Sequence, residues 1–483
     1  MRYTEIAIAK PFEGAPRINL ADVFGASPKK PFLLKIPVTG QRPITYGAKN
    51  LPEGLILKDG IISGSVQVEG VYNVILTAKN ALGETEKNLT LEIKENGVLL
   101  TPLMGFTSWN AFGSTVSQEK IENITKRMVE LGICEYGYNY INIDSGWQEN
   151  YGGKYDAIMP NAKFPDMKKL CDTIHSYGLK CGIYSTPMLT AWGCPAEFSS
   201  IPGCTVGEPD PIFAPMNGGI GKIRKEKNNV SQWTEWGFDY LKYDWHPCDP
   251  YNADLMKKEL MASPRDFGFC VTITAVLGYI NYWSQNCNSY RANTDSRGNW
   301  KNFLEIYNTY FDYMDYNNKG HYFDLDMLDL GDCDMFRQRG WTENADFGFT
   351  EDEQLVVFSA RAFLSSPIQI SSTLENLSEF ELSMYCNEEI LAIHQDSAFS
   401  TAKPYIMLEG NDKAVHVFRK KLSNGDYAIG AFNVGETRER VKIYLDEKSN
   451  IRDVWAKKDL SENDKISLSM PPHTVKIFRI SAI

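Results

Sequence analysis

Hydrophobic and polar positions fall into three successive textures. Over residues 1–97 apolar and polar residues alternate, most plainly at Val71 to Ala78 and Asn88 to Ile93, with the turn Asn80-Ala81-Leu82-Gly83 between them. A period of two is that of half-buried strands, so this part reads as an all-β module. Over 98–400 short apolar runs alternate with amphipathic stretches. The runs are Leu103 to Trp109, Tyr140 to Asp144, Cys181 to Thr186, Tyr240 to Asp244, Cys270 to Thr274, Ser289 to Thr294, Tyr322 to Met327 and Ile368 to Ser372. Between them, Ser117 to Leu131, Asp166 to Tyr177 and Glu351 to Leu364 carry helical spacing, the first opening on an S-x-x-K that half matches a capping box. Eight strands interleaved with helices predict a (β/α)8 TIM barrel. Over 401–483 the helical spacing stops. His416 to Arg419, Tyr427 to Phe432, Val441 to Tyr444 and Val475 to Phe478 alternate between Gly, Asn and Pro turns, which predicts a C-terminal antiparallel β-sandwich.

The fourth barrel segment is the most informative. In Trp236 to Trp245 a turn residue, Gly237, precedes Phe238-Asp239-Tyr240-Leu241-Lys242-Tyr243-Asp244. Lys242 and Asp244 are two apart, so both point to one side of the strand, which in a closed barrel is the interior. A cation beside a carboxylate lowers its pKa, so Asp244 is expected to be ionised, as a nucleophile must be. An ordinary salt bridge has the same pattern, and the other strand ends decide between the two.

Those ends carry Trp109, Asp144, Arg291, Asp295, Asp324, Asp326 and Met327. A set of carboxylates with one Lys, one Arg and an aromatic suits retaining glycoside hydrolysis, which needs one nucleophilic carboxylate and one acid/base. Asp295 would stay protonated until the leaving group departs, with Arg291 orienting groups near the nucleophile. The 6 His never fall at i, i+2 or i, i+4, against a His-based zinc site. G-x-S-x-G and Gly-rich phosphate loops are missing as well.

Composition narrows the partners. The formal net charge is −11 and no Lys/Arg-rich run occurs, which disfavours nucleic acid and anionic membrane surfaces. No apolar run reaches the ~18 residues of a membrane span. The first residues lack the layout of a signal peptide. Of the 10 Cys, Cys194 and Cys204 flank a loop and Cys248 lies four residues past Asp244, and one disulfide among these three is an open option. The sequence sets no oligomeric state.

Thr101-Pro102-Leu103-Met104-Gly105-Phe106-Thr107-Ser108-Trp109-Asn110, Tyr140 to Trp147, Gly182-Ile183-Tyr184-Ser185, Trp236 to Asp244, the R-x-x-x-D of Arg291 and Asp295, and Asp324-Leu325-Asp326-Met327-Leu328 resemble, in this order, glycoside hydrolase family 27, the α-galactosidase family. Phe349 to Gln354, Ile393 to Asp396, Arg452 to Trp455 and Pro471-Pro472-His473 continue the likeness. Leu51-Pro52-Glu53-Gly54-Leu55, Ile62-Ser63-Gly64 and Gly70-Val71-Tyr72 resemble immunoglobulin-like modules of bacterial exported proteins. The resemblance implies an exported enzyme releasing terminal α-linked galactose by double displacement. Asp244 would be the nucleophile and Asp295 the acid/base. Trp109 would wall the sugar pocket, Asp144, Lys242, Arg291 and Tyr184 would bind the sugar, and Met327 would line the site. It implies a carbohydrate substrate and neither metal nor cofactor.

Three departures bear on the sugar. The family's second strand usually ends in two Asp, where this chain has Asp144-Ser145. Its third usually continues to an Asp, where this chain has Thr186. A long loop rich in Pro, Gly and Cys, about Pro187 to Ile223, is inserted, and its Glu197 or Glu208 are candidates to replace the lost contact. The alternatives are therefore an α-N-acetylgalactosaminidase or β-L-arabinopyranosidase of the same family, or a catalytically inactive sugar-binding relative.

Overall fold

The computed structural model describes residues 2–188, 219–406 and 408–483. Its centre is a ring of parallel strands: β1 (Met104–Thr107), β2 (Tyr140–Asn142), β3 (Lys180–Ser185), β4 (Tyr240–Trp245), β5 (Gly268–Ile273), β6 (Ser289–Tyr290), β7 (Tyr322–Phe323) and β8 (Ile368–Ile370). Each pairs in parallel with its neighbour in chain order, and β8 returns to β1. The ring closes just past β7, where the Leu328 N–H donates to the Gln369 carbonyl at 2.8 Å and the Ser371 N–H to Leu328 at 2.9 Å. All eight segments expected from the pattern are strands of this barrel.

Several of them are shorter than the pattern suggests, β1 and β7 for reasons the structure shows. Beyond Phe323 the backbone turns out of line because Asp326 takes a left-handed conformation (φ 65°). The Asp324 carboxylate accepts the Asp326 N–H at 2.8 Å, so that donor goes to a side chain and not to a neighbouring strand. Strand β1 likewise stops at Thr107. Trp109 therefore sits on a one-turn helix, Ser108–Phe112, and not on the strand itself.

Along β4 the period of two separates two environments. Leu241, Tyr243 and Trp245 enter the core between barrel and helices. Tyr240 joins Leu103, Tyr140 and Cys270 in an apolar floor across the barrel. Lys242 and Asp244 stand above it in the interior. Gly182 in β3 is required here: a Cβ would lie 2.0 Å from Asn142 Oδ1 and 2.9 Å from the Tyr240 ring. The surrounding helices are capped as their sequences suggest. Ser117 and Asp166 accept from Lys120 and Lys169 N–H at the heads of Gln118–Glu130 and Met167–Ser176. Thr350 and Glu353 form a complete capping box before Glu351–Phe363.

The N-terminal module packs two sheets around an apolar core that includes Leu34, Ile62, Val74 and Leu91. Its long hairpin joins Gly70–Asn80 to Gly83–Ile93, and the Asn80 side chain accepts from the Leu82 and Gly83 N–H groups. The module meets the barrel beneath the floor, where Ser27 N–H donates to Asp266 at 2.7 Å and Val38 N–H to Glu135 at 3.0 Å. The first residues do not belong to it: Thr4 Oγ1 donates to the Val475 carbonyl and Ala7 N–H to Trp455. The C-terminal strands, chiefly Val415–Lys421, Tyr427–Asn433, Glu439–Asp453, Asn463–Met470 and Thr474–Ser481, pair antiparallel. They lean on the helix Glu351–Phe363 through Trp455 Nε1 to Ser359 Oγ at 3.0 Å. Among the described residues no helix is long and apolar enough to cross a membrane.

Candidate active site

The C-terminal strand ends gather a connected set of charged groups. Asp244, at the end of β4, is 8% exposed. The Tyr184 hydroxyl, from β3, donates to its Oδ2 at 2.8 Å, while its buried Oδ1 has no hydrogen-bond partner among the described residues. Lys242 does not bond Asp244 directly. Its Nζ donates to Asp144 Oδ2 at 2.6 Å, and the other oxygen of Asp144 accepts the Ser145 N–H at 2.8 Å. Burial, the largest single influence, would lower the Lys242 pKa, but Asp144 together with Asp326 and Asp244 outweighs it and holds the ammonium above its usual range.

The expectation that Lys242 keeps Asp244 readily ionised is therefore corrected. Burial is the largest influence on Asp244, and Lys242 and Arg291 only partly offset it, so its pKa is pushed up to about 6. Removing a carboxylate from water costs more here than a cation already engaged by another carboxylate returns.

Arg291 anchors the opposite side. Its Nε donates to Thr272 Oγ1 at 2.6 Å and its Nη2 to Asp295 Oδ1 at 2.8 Å, and its Nη1 pairs with Asp326. Thr272 stands beside Asp244 in the β4–β5 register, so the arginine links the surroundings of both carboxylates. Asp295 is 40% exposed. Burial raises its pKa, but Arg291 and then Lys242 act more strongly together and bring it below the usual carboxylate range. A protonated resting Asp295 was expected, and the guanidinium at hydrogen-bond distance reverses that.

Asp326, read among the strand-end acids, pairs with Arg291 and accepts the Ser296 N–H at 2.6 Å. Two further contributors escape a reading of strand ends. Thr272 orients the guanidinium. Arg361, from the helix Glu351–Phe363, is buried and donates to the carbonyls of Leu325, Asp326 and Met327 at 2.9–3.0 Å, fixing the turn that presents Asp326. The left-handed residue and its arginine have no local signature. Trp109 and Met327 lie in one apolar cluster with Cys333, Met335 and Phe336, at the edge of the polar set. Cys248 is a free buried thiol that donates to the Trp245 carbonyl, so it forms no disulfide. Cys194, Cys204, Glu197, Glu208 and most of the inserted loop lie outside the described residues.

Comparison with known proteins fits this geometry. A model of α-galactosidase A matches residues 101–203 and a model of the α-galactosidase C-terminal β-sandwich matches 412–480. A model of Ig domains matches 15–94. The α-galactosidase A of Cellvibrio japonicus is 27% identical over 419 residues, covering 79% of this chain and 92% of that protein. The chain is similar to the α-galactosidases of glycoside hydrolase family 27 over its barrel and its C-terminal sandwich. A crystal structure of a candidate α-galactosidase/melibiase from Bacteroides fragilis superposes with a TM-score of 0.86 at 28% identity, over 98% of this chain and 99% of that one. The α-galactosidase I of Mortierella vinacea shares the fold, with a TM-score of 0.68 at 24% identity, over 80% and 98% of the two chains. The Bacteroides structure extends over almost the whole chain, whereas the other two likenesses cover about four-fifths of it.

Proposed function

We propose that this family 27-like protein is an exo-acting, retaining glycoside hydrolase that releases terminal α-linked galactose, with Asp244 as nucleophile and Asp295 as acid/base. One observation carries the reading. Asp244 keeps one oxygen on Tyr184 and the other buried and unpaired among the described residues, and a carboxylate so held has a single lone-pair direction to offer an anomeric carbon.

In the first step the free oxygen of Asp244 attacks the anomeric carbon. The departing glycosidic oxygen takes a proton from Asp295, leaving a glycosyl ester. In the second, Asp295 takes a proton from water, which attacks the same carbon and releases Asp244. The pair's mutual repulsion changes sign of use between the steps. Arg291 holds Asp295 below the usual carboxylate range at rest, so the acid step runs through the form in which Asp244 is charged and Asp295 carries the proton, a form that the Asp244 charge favours; once Asp244 is esterified that charge is gone and Asp295 ionises again. Asp144 and Lys242 would hold ring hydroxyls, with Trp109 and Met327 bounding the pocket. The Ig-like module supports an exported enzyme.

The sugar is the finer part of the proposal. Ser145 offers neutral hydrogen bonds where relatives usually place a carboxylate, and such bonds are roughly half as strong. We expect galactose to remain preferred, with a weakened dependence on its 6-hydroxyl. Turnover of aryl α-galactoside should exceed that of aryl α-N-acetylgalactosaminide and β-L-arabinopyranoside. The 6-deoxy galactoside should lose far less than the ~10⁴-fold expected when a dedicated polar contact is left unpaired. A preference for either rival glycoside would overturn the choice of sugar, and no turnover of any would overturn the hydrolase.

A further inference from the structure

Beneath the barrel floor, where the N-terminal module, the barrel and the C-terminal sandwich meet, lies a cavity of about 300 Å³ that the hydrolytic steps do not use. Leu20 to Gly25 of the module, Leu99 to Met104 and Tyr140 of the barrel, and Leu422 to Asn424 of the sandwich wall it. Arg17 and Arg479 also line it and are 52% and 46% exposed, so the cavity is open to solvent. Its size is at the small end of ligand sites, which form preferentially between domains.

One charge in the lining is unmatched. Lys180, at the start of β3, holds its Nζ over the Phe24 ring of the module, 5.4 Å from the centroid, and over the Tyr140 ring of β2 at 5.8 Å. Among the described residues this ammonium makes no hydrogen bond and no ion pair. The acids whose charge reaches it, Asp239 and Asp266, are engaged elsewhere: Asp239 by Arg265 at 2.6 Å and His175 at 2.7 Å, Asp266 by Lys30 at 3.5 Å. The other cations of the lining are paired, Arg17 with Glu388 at 3.3 Å, Lys87 with Asp22 at 2.6 Å and Arg479 with Asp426 at 2.7 Å. Of the remaining acids, Glu389 holds Arg452 at 2.8 Å and Asp396 accepts from Ser423 Oγ at 2.9 Å. Two aromatic faces offset part of the desolvation of a cation, but an ammonium without an anion stays unfavourable. Neutral groups of the lining are open as well. Asn19 donates its Nδ2 to Thr39 Oγ1 at 3.1 Å and to the Glu135 carbonyl at 2.8 Å, which leaves its Oδ1 a buried acceptor without a donor among the described residues. The Tyr136 hydroxyl and the Asn139 side-chain amide form no hydrogen bond among the described residues.

We propose that this cavity is a second binding site, for a small monocarboxylate that also bears hydroxyl groups, of the size of a hexuronate. One spare ammonium matches one negative charge, whereas a dianion would need a second free cation that the lining does not offer. The carboxylate would accept from Lys180 Nζ as a charge-assisted bond, and the hydroxyls would meet the open groups of Asn19, Tyr136 and Asn139. Such a ligand touches module and barrel together, so binding it stabilises their junction. The inference is independent of the reaction at Asp244.

The test measures Tm and calorimetric affinity with D-glucuronate, D-glucose and inorganic sulfate as probes, in excess galactose so that sugar binding at the barrel mouth does not contribute. The readout is binding and does not depend on turnover. Wild type should be stabilised by glucuronate and bind it about tenfold or more tightly than glucose, the scale of one charge-assisted bond. Lys180→Met, which keeps the apolar stem, should lose that preference. It should melt no lower than wild type without ligand, because it removes an unpaired cation from the junction. Lys180→Arg, which keeps the charge, should retain part of the preference. Asn19→Ala, a second variant in the same lining, should weaken glucuronate several-fold. Glucuronate and glucose bound by wild type within about twofold of each other, glucuronate bound unchanged by Lys180→Met, or sulfate bound as tightly as glucuronate would each overturn the proposal.

Discussion

Tyr184 and Asp244 face each other across neighbouring barrel strands, the phenol donating to one carboxylate oxygen at 2.8 Å. This bond favours the charged form of an acid that burial pushes up to about 6. Tyr184→Phe removes it, so the Asp244 pKa should rise further. Because the ionised form is the nucleophile, the acidic limb of kcat/KM against pH should lie near pH 6 in wild type and move to higher pH in the variant. Activity should then fall more at pH 5 than at pH 8. An unshifted limb would separate this bond from the titration that governs turnover.

The same burial has a consequence for stability. The folded pKa of Asp244 lies above its unfolded value, so its favourable contribution is complete below about pH 4 and is lost as pH rises through about 6. At neutral pH the ionised, buried carboxylate costs about 3 kcal/mol, taking a shift of roughly two pKa units. Asp244→Asn should therefore be inactive yet more stable than wild type at pH 7.5, with the difference in Tm shrinking as the pH falls to 4. A variant less stable than wild type at pH 7.5 would contradict this electrostatic account.

How far the sequence reaches depends on the range of the interaction involved. The barrel strands were legible because each is a short apolar run bounded by turns, and Lys242 and Asp244 share the interior because a strand's side chains alternate. The protonation preferences were not legible. They depend on Lys242 spending its charge on Asp144, 98 residues away in the chain, and on Arg291 reaching Asp295 and Asp326 together. The Trp109 helix and the early end of β7 were hidden for a related reason: backbone donors there are taken by side chains, Asn110 N–H by Ser371 and Asp326 N–H by Asp324, which no period of apolar residues records.

Arg361 should prove a positioning residue. Its guanidinium donates to the carbonyls of Leu325, Asp326 and Met327, and to Val357 at 3.1 Å. Arg361→Met leaves these buried acceptors unpaired and should destabilise the protein by about 3 kcal/mol or more. Arg361→Lys, with fewer donors, should recover only part of the stability. If the loss is transmitted through Asp326 and Arg291, kcat should fall with little change in the pH limb assigned to Asp244. Unchanged Tm and kcat in Arg361→Met would refute the role.

Asp295 is tested by its leaving groups. Asp295→Ala removes protonation of the departing oxygen, so an alkyl α-galactoside should slow by about 10²–10⁴-fold. A dinitrophenyl galactoside, which needs no proton, should form its glycosyl-enzyme at close to the wild-type rate and then accumulate it, because the water-activating base is gone. Equal losses on both substrates would assign Asp295 to sugar binding and not to proton transfer.

The central claim is that the unpaired oxygen of Asp244 becomes covalently bound to the sugar. It is tested most directly by inactivating the protein with a fluorinated α-galactosyl donor that has a good leaving group, digesting it, and locating the label by mass spectrometry. The account predicts one fluorogalactosyl group per chain, on the peptide carrying Asp244, and none in Asp244→Asn. A label on any other residue, or turnover of the donor with release of the inverted sugar and no covalent adduct, would contradict it.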